Sequence, residues 1–214
     1  MPQKTSTRQM ILEAALNCIE EDGLEKLTIR RIARRAGTNV AAINYHFRSK
    51  DHLVSEVFSM TITHMLEDVF AAMEDPVPGF DAVLTDVLFY LLDGSLRFPG
   101  ITKAHLQRAM QDSGRTTISG QSIQQVFNGL AKRAAVAYPS KTRAALRLRL
   151  AQVLGGVLFT ILNPDFFELT GKYRLTSSKH ARALAETYTQ LFLASVQRPT
   201  GVPVPRRGMK SGRF

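Results

Sequence analysis

Apolar residues recur at intervals of three and four along most of the chain, which is the spacing of one face of an α-helix. The first such run comprises Ile11, Leu12, Ala15, Leu16 and Ile19. A period of two, the pattern of a half-buried strand, is not sustained, and no Asn-Gly or Asp-Gly turn joins two β-branched runs. The pattern therefore predicts an all-α protein.

Cap and turn residues divide this pattern into nine predicted helices. Hydroxyl residues precede several of them, glycines end the first two, and prolines interrupt the later ones. The predicted ranges are about 5–22, 28–36, 39–47, 50–74, 80–97, 101–111, 119–137, 140–162 and 177–197. We predict a three-helix domain over residues 1–50, a six-helix domain over 51–197 and a disordered tail over 198–214, which is rich in proline and glycine.

Charge is distributed unevenly along the 214 residues, whose net charge is +10. Six basic residues and no acidic one lie between Thr28 and Lys50, and five basic residues and no acidic one lie in the tail. The segment 51–197 is nearly neutral, with 14 basic and 13 acidic residues. Two basic blocks around a neutral body favour a polyanionic partner, although a single charged run is more often a solvated face.

The second and third predicted helices form a helix-turn-helix. Ile29, Ile32, Ala33 and Ala36 mark the inner face of the second helix, and Val40, Ile43 and Phe47 that of the third. A glycine-containing turn at Gly37 joins these two short helices. The outer face of the third helix would enter a DNA major groove, where small residues allow close approach and an asparagine can pair with an adenine edge.

This segment closely resembles the DNA-binding segment of the TetR family of regulators. The matching residues are Thr28, Ile32-Ala33, Ala36-Gly37, Tyr45-His46-Phe47, Ser49-Lys50 and Leu53. The stretch Ala41–Phe47 (Ala-Ala-Ile-Asn-Tyr-His-Phe) looks like one recurrent subgroup of that family. The resemblance implies a dimeric transcriptional regulator, most simply a repressor, with an N-terminal helix-turn-helix and a helical effector-binding and dimerisation domain.

The resemblance also implies roles for individual residues. Thr28, Tyr45, His46 and Lys50 would hold the DNA backbone, and Lys4 and Arg8 could reach flanking phosphates. The residues that would face base edges or nearby phosphates are Arg30, Thr38, Asn39, Ala41, Ala42 and Asn44. For Tyr45 the alternative is simple packing, for His46 an ordinary surface histidine, and for Arg31, Arg34 and Arg35 plain solvation.

No motif of catalysis, cofactor binding or metal binding stands out, so we expect no enzyme. His64, His105 and His180 are isolated, and the pairs His64/Glu67 and His52/Glu56 have the spacing of surface contacts. Cys18 is the only cysteine, which fits a reducing cytoplasm. We expect a cytoplasmic protein without a membrane span.

Two apolar stripes near the C-terminus are candidates for a homodimer interface formed by the last two long helices. One consists of Leu146, Leu150, Val153, Leu154, Val157, Leu158 and Ile161, and the other of Leu184, Tyr188, Leu191, Phe192 and Val196. Gly155 and Gly156 would allow close helix approach. The alternative is that the stripes fill an intrachain core. Apolar residues between Met60 and Leu130 could enclose a cavity for a small hydrophobic or amphipathic effector.

Three other functions remain open. An activator or architectural protein could carry the same helix-turn-helix. A helical enzyme or small-molecule carrier could have an incidental pair of basic helices. A protein that binds nucleic acid without sequence preference could act through the tail, in which case removing residues 198–214 would abolish binding.

Overall fold

A computed structural model describes residues 6–74, 79–111, 117–164 and 175–197 of the chain. Within these ranges every regular element is helical, so the predicted all-α class is confirmed. The elements are α1 Thr7–Asp22, α2 Ile29–Arg35, α3 Val40–Phe47, α4 Lys50–Glu74, α5 Phe80–Arg97, α6 Pro99–Gln111, α7 Ile118–Ala137, α8 Arg143–Leu162 and α9 Ser178–Gln197. The predicted tail and Lys4 lie outside the described residues.

Side-chain caps set most helix starts. The hydroxyls of Thr28 and Ser49 accept backbone N–H groups at 3.2 and 3.1 Å, so α2 and α4 begin as predicted. Both ends of α4 and α5 also agree with the prediction. α8 begins three residues later than predicted, because its cap is Thr142 and not Ser140. A 3-10 turn over Leu24–Lys26, which the sequence pattern did not indicate, joins α1 to α2.

A carboxylate from α1 caps the start of α6. This helix begins at Pro99, earlier than predicted, because proline suits the first helical position: it has no N–H there to leave unpaired. The next two amides, of Gly100 and Ile101, donate to the two carboxylate oxygens of Glu20 at 3.0 and 2.8 Å. A Cβ on Gly100 would lie 2.3 Å from the backbone oxygen of Glu20, so α1 and α6 touch through their backbones.

The buried apolar residues form two clusters, which we call the head and body clusters. The head cluster joins α1, α2 and α3 to the first turns of α4 and to Ile101 and Ala104 of α6. The body cluster joins the rest of α4 to α5, α7, α8 and α9. α4 therefore supplies side chains to both clusters, with Val57 and Phe58 in the head and Ile62 and Leu66 in the body. The domain boundary at residue 50 stays a prediction.

His105 of α6 lies where the head meets the body. Its ring is 2% exposed, with Nε2 2.8 Å from Thr61 Oγ1 and Nδ1 2.6 Å from Ser119 Oγ. The ring centroid of Phe58 is 4.5 Å away. Burial lowers the pKa of His105 to about 4. The neutral ring, with one donor and one acceptor nitrogen, therefore bridges α4, α6 and α7.

The two predicted C-terminal stripes largely fill the intrachain core, which was the alternative left open above. Leu146, Leu150 and Val157 of α8 and Phe192 of α9 are at most 1% exposed. A Cβ on Gly156 would lie 2.9 Å from the Tyr188 ring, so this glycine serves contact between α8 and α9 of one chain. Of the stripe residues only Leu191 is exposed, so a dimer interface on these helices must use Leu191 together with residues outside the stripes.

A different apolar face of α8 and α9 is exposed. Leu148 is 62% exposed on α8 and Leu191 is 58% exposed on α9. Around Gly155 an added Cβ would meet nothing within 4 Å. α8 is long and apolar enough to cross a membrane, but one such helix is weak evidence for a membrane span. Within the protein, 33% of its most apolar window is buried. We call the exposed residues Leu148 and Gly155 of α8 and Leu191 of α9 the outer face.

Candidate nucleic-acid interface

α2 and α3 pack as a helix-turn-helix around Ile32, Ile43 and Phe47, each fully buried. The turn between them contains Gly37 with φ of 63°, a left-handed conformation that glycine adopts without strain. The N–H of Thr38 closes the turn by donating to Ala33 O at 3.0 Å. These contacts fix how α3 projects from the head.

The outward face of α3 is polar with small residues. Tyr45 is 84% exposed, and Ala41 and Asn44 are exposed beside it, as predicted. Val40, which we expected on the inner face, is 39% exposed, because the first turn of α3 extends beyond the buried residues Ile43 and Phe47. The predicted outward residues Ala42 and His46 and the turn residue Thr38 are half-buried.

The two asparagines of this face differ in their free hydrogen-bonding groups. Asn39 is the N-cap of α3, and its Oδ1 accepts from the N–H of Ala42 at 2.8 Å. Its amide nitrogen is free to donate, but its Oδ1 is already engaged in the cap, so Asn39 is less suited to the paired donor-and-acceptor contact that recognises adenine. The side chain of Asn44 makes no hydrogen bond within the described part of the chain. Asn44 is therefore the better candidate for reading a base.

Thr28 and Lys50 frame the helix-turn-helix from outside α3. The Oγ1 of Thr28 accepts from the N–H of Arg31, which leaves the hydroxyl hydrogen free to donate to a phosphate. Lys50 is the first residue of α4 and is half-buried. A phosphate near it would meet an ammonium and the positive end of the helix dipole together.

The four arginines of α2 fall into two pairs. Arg31 forms an ion pair with Asp22. Arg35 donates from Nη1 and Nη2 to the two carboxylate oxygens of Glu21, with an Nη2–Oε1 distance of 2.7 Å. The hydrogen bond with Arg35 lowers the pKa of Glu21. This pair therefore ties α2 to the end of α1. Arg30 and Arg34, four residues apart, are exposed and have no ion pair with any described residue.

Arg8, which was expected to reach flanking phosphates, contacts its own chain here, and its contact with DNA stays a prediction. Its guanidinium forms an ion pair with Glu56 and lies 5.2 Å from the ring centroid of Phe47. These contacts join α1 to α3 and α4, and the carboxylate offsets the charge of Arg8. The sequence could not foresee this, because the partners are far away along the chain.

Arg34 and Arg48 are two exposed cations to which the sequence analysis assigned no DNA contact. Arg48 lies between α3 and α4 with φ of 59° and ψ of −38°. The N–H of Ser49 donates to Phe47 O at 2.6 Å across it, which makes a tight γ-turn that is strained for a residue with a side chain. The turn places the Arg48 side chain at the end of the exposed α3 face. The only sign of an interface role for Arg48 in the sequence is its position among the six basic residues between Thr28 and Lys50.

Among the described residues, no three His, Cys, Asp or Glu side chains come together as a metal site. His52 Nδ1 is 3.4 Å from Glu56, and His64 Nδ1 is 3.5 Å from Glu67. Both pairs are the surface contacts along α4 that their spacing predicted.

Comparison with known proteins places this helix-turn-helix in a family. Residues 11–57, from α1 into α4, match the family model described as bacterial regulatory proteins, tetR family. The helix-turn-helix of this chain is therefore of the TetR-family type. The subgroup suggested by Ala41–Phe47 stays a prediction.

Curated relatives match this chain over the head. It is 36% identical over 70 residues to the uncharacterized HTH-type transcriptional regulator YvdT of Bacillus subtilis, covering 32% of this chain and 36% of that protein. It is 35% identical over 74 residues to the HTH-type transcriptional regulator BetI 2 of Chromohalobacter salexigens, covering 33% and 36%. The match therefore spans little more than a third of each relative's length.

Solved structures resemble the chain over most of its length. A TetR-like transcriptional regulator from Rhodococcus sp. RHA1 has a TM-score of 0.65 at 17% identity, covering 91% of this chain and 99% of that one. The TetR family regulator PfmR from Thermus thermophilus has a TM-score of 0.64 at 19% identity, covering 88% and 99%. These likenesses confirm the predicted fold, a helix-turn-helix head followed by a helical body.

Proposed function

We propose that this protein is a cytoplasmic transcriptional regulator of the TetR family, most simply a repressor, that binds a palindromic operator as a dimer. The observation that carries the proposal is the face of α3, where Asn44 and Tyr45 are exposed on a helix fixed by the head cluster. Matching helix-turn-helix proteins are named as transcriptional regulators, which agrees with this function and not with an enzyme.

Within this function, α3 enters the major groove. Asn44 reads a base edge, Ala41 and Ala42 allow close approach, and Asn39 donates from its free amide nitrogen. The remaining contacts hold the DNA backbone. We assign them to Thr28, Arg30, Thr38, Tyr45, His46 and Lys50, and add Arg34 and Arg48 because of their exposure.

The homodimer forms through the outer face of α8 and α9. An apolar surface of this kind favours a protein partner over water, and Leu148 and Leu191 are its most exposed large side chains on these helices. A two-fold dimer would present two copies of α3 to successive major grooves, which are about 34–36 Å apart. Palindromic DNA has the matching symmetry.

A small hydrophobic or amphipathic effector would release the DNA. Ligand binding changes DNA affinity only if the ligand prefers one of two arrangements of the heads. α4 contributes to both clusters, and Glu20 connects the head directly to α6. We infer that these two links transmit the movement. A ligand that binds without changing DNA affinity would contradict this part of the proposal.

The two arginine pairs of α2 predict different DNA-binding behaviour. Each phosphate contact contributes about 0.9 to the slope of log affinity against log salt concentration. We expect Arg30→Ala with Arg34→Ala to flatten this slope by about 1 to 2, and Lys50→Ala by about 1. The measurement is fluorescence anisotropy of labelled duplex DNA at several salt concentrations.

The matched control is Arg31→Ala with Arg35→Ala, which removes the same charge. Because these arginines bind Asp22 and Glu21, this variant should lower the melting temperature and leave the slope nearly unchanged. Equal slopes for both double variants would contradict the division into structural and DNA-binding pairs.

An activator would have the same interface, since the sign of regulation depends on where the operator lies. Binding without sequence preference through residues 198–214 makes a different prediction. In that case a chain ending at residue 197 would lose all DNA binding, whereas our proposal expects only a modest, salt-dependent loss.

A further inference from the structure

A cavity of about 450 Å³ lies at the junction of the head and the body. It is lined by α1, α4, α5 and the start of α6, and it is open to solvent on one side. Its apolar lining includes Leu16 of α1, Met60 and Met65 of α4, and Ile101 of α6. This volume is within the range of pockets that hold small organic ligands.

The cavity also has a buried carboxylate. Asp93 of α5 lines it and is 4% exposed. One oxygen, Oδ2, is 2.6 Å from Arg97 Nη2, whose side chain is 67% exposed. The other oxygen, Oδ1, is buried and has no hydrogen-bond partner among the described residues. A buried acceptor without a donor is unfavourable, so Asp93 would gain from a donor brought by a ligand.

The charges around the cavity favour a cation over an anion. A second carboxylate, Asp68 of α4, also lines it, against the single guanidinium of Arg97. His64, at the same wall, has its Nδ1 3.5 Å from Glu67. The lining therefore carries two carboxylates for one permanent cation. Asp93 is buried, where charge is weakly screened, and Asp68 is exposed.

We propose that this cavity binds an amphipathic organic monocation, with its ammonium group held by Asp93 and Asp68. Its apolar portion lies against Leu16, Met65 and Ile101. The proposal deepens the proposed function, because this ligand would be the effector of the same regulator. Leu16 and Ile101 contact the head cluster, whereas Asp93 belongs to α5 of the body. A ligand here would touch both parts at once, beside the Glu20 contact.

The test compares three probes that share one apolar chain and differ in charge: n-octylammonium, n-octanol and n-octanoate. Isothermal titration calorimetry with the full-length protein should show the ammonium probe binding once per protomer. We expect it to bind at least about tenfold more tightly than octanol, and octanoate more weakly than either, because a carboxylate–cation contact contributes that much in a buried site.

Variants then locate the site. Asp93→Asn and Asp68→Asn should each weaken binding of the ammonium probe and leave octanol unchanged, with the larger loss, about tenfold or more, for the buried Asp93. Glu67→Gln is the matched control, because it removes the same charge one residue from Asp68 outside the cavity, and it should change nothing. Circular dichroism checks that each variant folds. If Asp93→Asn does not fold, Asp68→Asn still tests the site, because Asp68 is exposed and its substitution should not disturb folding.

Two results would overturn the proposal. One is equal affinity for the ammonium probe and octanol. The other is binding that neither aspartate variant weakens, which would place the ligand elsewhere, for example in the apolar groove between α6, α7 and α8 around Phe127 and Leu158. DNA binding is measured on the same preparations without probe. Specific DNA binding without cation binding would contradict only the proposed cation site. Cation binding without specific DNA binding would contradict only the proposed function.

Discussion

Leu148→Glu combined with Leu191→Glu should convert the protein to a monomer and weaken operator binding by at least about 100-fold. Both side chains lie on the outer face and are more than half exposed, so glutamate can be accommodated in the free chain. In a two-fold interface the same substitutions would bury four carboxylates at an apolar contact. A monomer loses the gain of about 10²–10⁴ that comes from binding two linked half-sites.

Sedimentation velocity gives the oligomeric state, and anisotropy with operator DNA gives the affinity. Val136→Glu is the matched control, because Val136 is also an exposed apolar residue, 80% exposed, but belongs to α7 and not to the outer face. This variant should remain dimeric and bind normally. A Leu148/Leu191 double variant that stays dimeric would place the interface elsewhere.

Acidification from pH 7 to pH 4 should lower the free energy of unfolding by roughly 3 kcal/mol through His105 alone. The pKa of His105 is lowered to about 4 from its ordinary value of 6.5, because its ring is buried. Between these two pH values the unfolded chain binds a proton that the folded protein does not. The stabilisation is therefore complete above pH 6.5 and is lost as the pH falls toward 4.

Urea unfolding at half-unit steps of pH measures this dependence. His105→Gln should flatten the curve between pH 6.5 and 4, even though it also lowers stability at pH 7 by disturbing the contacts with Thr61 and Ser119. His64→Gln is the control, since this histidine is exposed on α4. Parallel curves for the intact protein and His105→Gln would show that His105 is not the titrating group.

The helices and their order could be predicted from sequence because their signals are local. Ser49, Thr28 and Gly37 act on amides a few residues away, and the resemblance around Tyr45-His46-Phe47 covers one contiguous segment. The match of residues 11–57 to a family model confirms that reading.

The remaining features depend on contacts between distant segments. Glu20 caps a helix about 80 residues away, and Arg8 pairs with a glutamate on α4. The apolar stripe through Leu150 is compatible with a core or a dimer interface, and only packing against α5 and α9 distinguishes them. For the same reason sequence could not show that Arg31 and Arg35 are structural, although Glu21 and Asp22 are visible in it.

Selection from a random double-stranded DNA library tests the central claim most directly. The intact protein should recover a palindrome, and the variant Asn44→Ala with Tyr45→Ala should not. On the recovered operator, Asn44→Ala alone should weaken specific binding by about 1–3 kcal/mol and spare non-specific binding. If the intact protein recovers no motif and binds DNA only in a salt-sensitive manner, the protein is a general polyanion binder and the account of a sequence-reading regulator is wrong.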